Sequence, residues 1–155
     1  MRHFETACSR VHRTLMYSAL IAALSIGANA LADVEQGNQN GIAFENGGWS
    51  AETAQTINSH AGKFPVMLVF AWNDGSYLSD VGVQVVNGKG DRVLSLNDSG
   101  PFVLIDLPKG EYTINVEHNG KSQSRRVNVG SNTRIKAVFH WPRDESIPAT
   151  AGAAE

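Results

Sequence analysis

From Pro65 to Trp141 the chain runs in short segments of period-two or wholly apolar residues, each cut by a turn rich in Gly, Asn or Pro. Successive side chains of a strand point to opposite faces, so this spacing selects strands and leaves helices no apolar stripe to bury. Val66 to Trp72 is nearly all apolar, as a strand covered on both faces is, and Asn73-Asp74-Gly75 ends it. Val81, Val83 and Val85 alternate up to the turn Asn87-Gly88-Lys89-Gly90, and Arg92 to Leu96 follows. After Asn97-Asp98-Ser99-Gly100-Pro101 come Phe102 to Leu107, the turn Pro108-Lys109-Gly110, and the alternating set Tyr112, Ile114 and Val116. Asn119-Gly120 is a two-residue hairpin signal, because both residues tolerate positive φ. Gln123 to Val129 and Thr133 to Trp141 complete seven strands. No helical pattern lies between them, so a parallel sheet has no crossover to use. The expected fold class is all-β, an antiparallel β-sandwich spanning residues 65–141.

The segment before Pro65 has a different character. Arg2, Arg10 and Arg13 precede an apolar stretch from Leu15 to Gly27, followed by the small-residue sites Ala28-Asn29-Ala30 and Ala30-Leu31-Ala32. That order is the pattern of a secretory signal peptide over residues 1–32, cleaved after Ala30 or Ala32. An uncleaved anchor is the rival, but the apolar stretch falls short of the roughly 20 residues that cross a bilayer. A bacterial chain of this kind is expected in the periplasm or outside the cell, with no membrane span once the leader is removed. Residues 33–48, rich in Gln, Asn and Gly, read as a flexible lead-in. A short helix is expected over residues 49–62. Ser50 is its N-cap, Glu52 lies in its first turn, Ala54, Ile57 and Ala61 form its apolar stripe, and Gly62 closes it. Trp49 and Phe44 are its expected anchors. Residues 142–155 have no periodicity and read as a disordered tail.

Charge and cysteine content remove several functions. The whole chain has net charge −2, which becomes −4 once the leader's three arginines and one glutamate are removed. A mildly acidic body lacks the basic footprint of a nucleic-acid binder. The one cysteine, Cys8, lies in the leader ahead of its apolar stretch, which argues against a lipid-modified cysteine. Disulfides, thiol catalysis and cysteine-ligated zinc are thereby excluded from the exported body.

Parity gives one register. Val127, Val129, Ile135, Ala137 and Phe139 share the inner face if Val129 pairs with Thr133 across Gly130-Ser131-Asn132. Arg126 then opposes Lys136 on the outer face beside Arg134 and His140, a positive stripe suited to an anionic partner. A second binding candidate is the set Trp72, Tyr77 and Trp141, aromatics near strand ends that could stack on sugars.

The stretch from Leu68 to Phe139 resembles the carboxypeptidase regulatory-like domain, a transthyretin-type sandwich. The likeness rests on Leu78-Ser79-Asp80-Val81-Gly82-Val83, Asp98-Ser99-Gly100-Pro101-Phe102 and Leu107-Pro108-Lys109-Gly110-Glu111-Tyr112-Thr113-Ile114. With the helix in front, the chain is similar to short secreted proteobacterial proteins of unassigned function. The resemblance implies a seven-stranded Greek-key topology, and implies little chemistry because one scaffold hosts many roles. Tyr112 should turn its ring inward and its hydroxyl to the corner backbone.

Enzymes on related sandwiches leave recognisable traces. A hydroxyisourate hydrolase of this fold ends in Tyr-Arg-Gly-Ser, and this chain ends in Ala-Gly-Ala-Ala-Glu. Intradiol dioxygenases bind iron with two Tyr and two His at short spacing, whereas His60, His118 and His140 are scattered. Asp74, Asp80, Asp91 and Asp98 sit in turns, where Asp satisfies local backbone N–H groups. No Gly-x-Ser-x-Gly elbow occurs. The expected function is a non-catalytic module without cofactor, contacting a periplasmic or envelope protein through an edge strand or the helix-covered face. Carbohydrate or peptidoglycan binding through the rim aromatics is the alternative.

Overall fold

Val66–Trp72, the most apolar stretch of the body, is the strand on which the other elements are arranged. The computed structural model describes residues 34–143. In chain order the elements are β1 (Glu35–Gln39), β2 (Ile42–Gly47), α1 (Ala51–His60), a 3₁₀ turn (Ala61–Lys63), β3 (Val66–Trp72), β4 (Val81–Asn87) and β5 (Arg92–Ser99). They continue with β6 (Phe102–Ile105), β7 (Gly110–His118), β8 (Lys121–Val129) and β9 (Ile135–Trp141). One sheet has the order β1-β2-β6-β3-β9 and the other β5-β4-β7-β8. The fold is an all-β sandwich with one short helix.

β3 is apolar on both faces because both are covered. Val66, Leu68 and Phe70 enter the core between the sheets, where they meet Val81, Val83, Val85, Ile114 and Val116. Met67 and Val69 point the other way, into a second cluster with Ile57, Phe102 and Leu104 beneath α1. β6 divides its side chains in the same manner, Val103 and Ile105 inward and Phe102 and Leu104 towards the helix.

The helix starts where its cap places it. The Ser50 hydroxyl accepts from the Thr53 N–H at 3.2 Å, and the Thr53 hydroxyl accepts from the Ser50 N–H at 3.1 Å. Ile57 is fully buried. Gly62 does not close the helix: Ala61 keeps right-handed backbone and the chain tightens into the 3₁₀ turn. The expected anchors differ too. Phe44 faces the core between the sheets, and Trp49 is 48% exposed.

Residues 33–48 are not a flexible lead-in where described. Asn40 and Gly41 have φ of 52° and 81°, and their turn joins β1 and β2 as a hairpin. β2 pairs antiparallel with β6, burying Ile42 and Phe44. Gly37, opposite Phe44, has no side chain to displace the Phe44 ring lying against it. The sandwich thus has nine strands among the described residues rather than seven.

The pairing is not antiparallel throughout. β3 and β9 run parallel, from Val66 opposite Ile135 to Trp72 opposite Trp141. The β8–β9 hairpin expected across Gly130-Ser131-Asn132 does not form, since β8 pairs with β7 and Arg126 lies opposite Thr113. Parity is nevertheless satisfied. Val127 and Val129 face inward from one sheet and Ala137 and Phe139 from the other. The leader over residues 1–32 and the tail beyond Arg143 lie outside the described residues.

Candidate functional site

The four positive residues do not form a stripe. Arg126 neighbours inward-facing Val127, so it occupies the outer face of the four-stranded sheet. Lys136 and His140 occupy the outer face of β9 in the other sheet, on either side of Val138, which packs towards the helix cluster. Arg134 precedes β9 and approaches Gly62 near the end of the 3₁₀ turn. Two strands in different sheets cannot present one outer face. The sandwich separates Arg126 from the rest.

The expected rim aromatics also have different fates. Trp141 is 1% exposed, because it shares the inward parity of Ala137 and Phe139. Its indole N–H donates to the Lys121 carbonyl at 3.1 Å, and its ring packs near Phe70, Phe139 and His118. It cannot serve as a platform for a ligand. Trp72 is half-buried, with the His118 ring edge-on at 5.4 Å and the Arg143 guanidinium 5.3 Å from its centroid. Arg143 is fixed there by Asp74 at 2.6 Å and the Ser76 hydroxyl at 2.7 Å. The Ser76 hydroxyl and backbone N–H, helped by Arg143, lower the Asp74 carboxyl to about 2. Of the three aromatics, only Tyr77 is open to solvent, at 58%.

A second exposed aromatic, Trp49, is one that the sequence assigned to packing under the helix. Trp49 and Tyr77 are the exposed large hydrophobic residues among those described. The Tyr77 ring stands edge-on to Phe102, centroids 4.8 Å apart, and an isolated bridge to Ala71 fixes its backbone. Trp49 lies over Gly100, its Cε2 atom 2.9 Å from the position a Cβ would take there. Gly48 has φ of 101°, and a Cβ on it would overlap the Phe102 ring. The segments Gly47-Gly48-Trp49 and Gly100-Pro101-Phe102 therefore meet without side-chain bulk and carry an aromatic on each flank. The paired glycines before Trp49 were the available signal.

His60 and His118 are engaged in contacts that hold the fold together. His60 Nδ1 lies 2.7 Å from Glu45 Oε2, joining the end of α1 to β2, and Gln36 donates to the other oxygen at 3.0 Å. His118 Nδ1 meets the Asp80 carbonyl at 3.0 Å, and Nε2 meets the Asn119 amide at 3.1 Å. Among the described residues, no three His, Cys, Asp or Glu side chains are grouped to hold a metal ion. No described helix is long and apolar enough to cross a membrane.

No protein-family model matches the chain, and no curated protein matches it significantly. What fold and site define is a class: a two-sheet β-sandwich with a helix on one outer face and two exposed aromatics, Trp49 and Tyr77, beside the Gly100-Pro101-Phe102 segment.

Proposed function

We propose that this chain is an exported, non-catalytic binding module that docks onto a protein of the bacterial envelope through the Trp49–Tyr77 surface. One observation carries the reading: the exposed large hydrophobics of the described body flank a single segment, Gly100-Pro101-Phe102. Aromatic side chains supply large contact area at small rotamer cost and dominate protein interfaces. Export rests on the charged, apolar and small-residue order of residues 1–32, and a cysteine-free body suits an oxidising compartment.

In this reading β3 to β9 are the seven strands of a transthyretin-type Greek-key sandwich, akin to the carboxypeptidase regulatory-like domain, and the N-terminal hairpin is an addition. The two-sheet arrangement supports it, as does Leu107-Pro108-Lys109-Gly110-Glu111-Tyr112 leading from β6 into β7. Glycan stacking at the rim loses support, since Trp141 is core and Trp72 lies beneath Arg143.

Photo-crosslinking residues at positions 49, 55 and 77 test the interface in the intact envelope. Gln55 is exposed on α1 and serves as the control. Adducts to one protein from positions 49 and 77, absent from 55, are expected. Equal yields at all three positions, or no protein adduct, refute the interface.

A further inference from the structure

On the outer face of the four-stranded sheet lies a groove of about 410 Å³, with Gly82 among the residues that line it. Gly82 sits near the start of β4 with Glu117 of β7 directly opposite. Its φ is not in the left-handed region. A Cβ there would meet only the Glu117 carbonyl oxygen at 3.7 Å and the Asn97 carbonyl oxygen at 3.9 Å, ordinary van der Waals contacts. Neither backbone geometry nor crowding demands glycine. A glycine inside a strand weakens it and marks places where something approaches the backbone closely. The local consequence of this glycine is open space over the sheet.

The walls of that space are largely polar, and two of them, Asn115 and Glu117, are held by neighbouring serines. Gln84 and Asn115 are cross-strand partners. The β4–β5 register passes from Val81 opposite Ser99 to Val83 opposite Leu96, so Asn97 and Asp98 together face Gly82 in a bulge. Bulges re-aim side chains next to sites, and Asn97 lines the groove. Ser124 donates to Asn115 Oδ1 at 2.8 Å, which leaves the Asn115 NH₂ to donate outward. Ser122 donates to the Glu117 carboxylate at 3.2 Å, fixing an acceptor beside the floor. The side chains of Gln84 and Asn97 make no hydrogen bond among the described residues.

This lining selects a ligand class. Amides both donate and accept, as sugar hydroxyls do, so Gln84, Asn97 and Asn115 match vicinal hydroxyl groups. No Lys or Arg lines the groove, and Asp80 and Glu117 repel anions. An extended peptide pairs with a sheet edge, whereas this is a sheet face. We propose that the groove over Gly82 is a binding site for a neutral saccharide of one to two rings, independent of the Trp49–Tyr77 surface. The volume lies within the roughly 300–1,000 Å³ range of small-molecule sites. With no aromatic in the lining to stack on a ring, a dissociation constant of about 1 mM is expected.

The test is a titration of ¹⁵N-labelled protein with maltose and, separately, with chitobiose, followed by NMR. At least one sugar should move the Gly82 amide and the side-chain amides of Gln84, Asn97 and Asn115. Gly82→Val fills the floor, so it should weaken binding about tenfold or more while the melting temperature holds or rises. Should Gly82→Val fold poorly, Asn97→Ala, a change at an exposed side chain, must show the same loss with unchanged melting. Trp49→Ala should bind the sugar as the parent does, which separates this site from the docking surface. The site is refuted if neither sugar moves those amides, or if both groove variants bind like the parent.

Discussion

Tyr112 follows the turn after β6 into β7, and its ring is buried in the core between the sheets, where burial raises its hydroxyl pKa. The hydroxyl lies near Gly110, yet no hydrogen bond joins it to the corner backbone among the described residues. The corner is therefore held by the ring, and the expected hydroxyl contact is missing. Tyr112→Ala should lower unfolding free energy by about 3 kcal/mol or more, the range for truncating a buried aromatic. Tyr112→Phe should cost less than about 1 kcal/mol, because no hydrogen bond is lost. Urea denaturation of both variants checks the pair, and a large loss in the Phe variant would point to a hydroxyl contact after all. Inward placement of Tyr112 was legible because strand parity fixes it. Trp49 was not legible: one aromatic beside a helix cap fits packing or exposure equally well. Its exposure follows from Gly47, Gly48 and Gly100, which meet only in the folded chain.

Asn46 shows how the N-terminal hairpin is attached to the sandwich. Its Oδ1 accepts from the Gly100 N–H at 2.8 Å, while its NH₂ donates to Glu35 at 2.8 Å and the Asp98 carbonyl at 3.4 Å. One buried amide thus links β1, β2 and the β5–β6 connection. Asn46→Ala leaves the buried Gly100 N–H without its acceptor, a loss of about 1–3 kcal/mol. Chemical denaturation reads that loss, and faster amide exchange across β1 should accompany it; a variant as stable as the parent would show the hairpin to be held by Phe44 and Ile42 alone. The hairpin carried the same Asn-Gly signal as Asn119-Gly120, and the polar composition of residues 33–48 masked it. Outward side chains of an edge strand are polar, so composition cannot separate β1 from a loop. The seven strands from Val66 onward were legible because their inward residues alternate with turns between them. Which strands pair was not, since Val127 and Phe139 point inward whether β8 and β9 share a sheet or face each other. The positive stripe failed for that reason.

At the scale of the whole molecule, two apolar clusters share one sheet. Alternate residues of β3 and β6 feed the core between the sheets and the cluster under α1, so neither can lose order without exposing the reverse face of the same strands. Ten residues of helix are too few to be stable in water, and α1 persists through Ile57 on that reverse face. Unfolding should accordingly be a single cooperative transition. The three tryptophans report on both regions. The Trp49 ring lies over Gly47, which also adjoins Ile57, whereas Trp72 and Trp141 mark the end of the inner core. In protein labelled with fluorotryptophan, all three ¹⁹F signals should vanish at one urea concentration. Ile57→Ala removes a fully buried side chain and should cost about 2–5 kcal/mol. It should move the three midpoints together, although it touches only the helix side. A Trp49 signal that melts early, or moves alone in Ile57→Ala, would mean that α1 detaches from a sandwich able to stand without it, and that the Trp49–Tyr77 surface opens before the fold does.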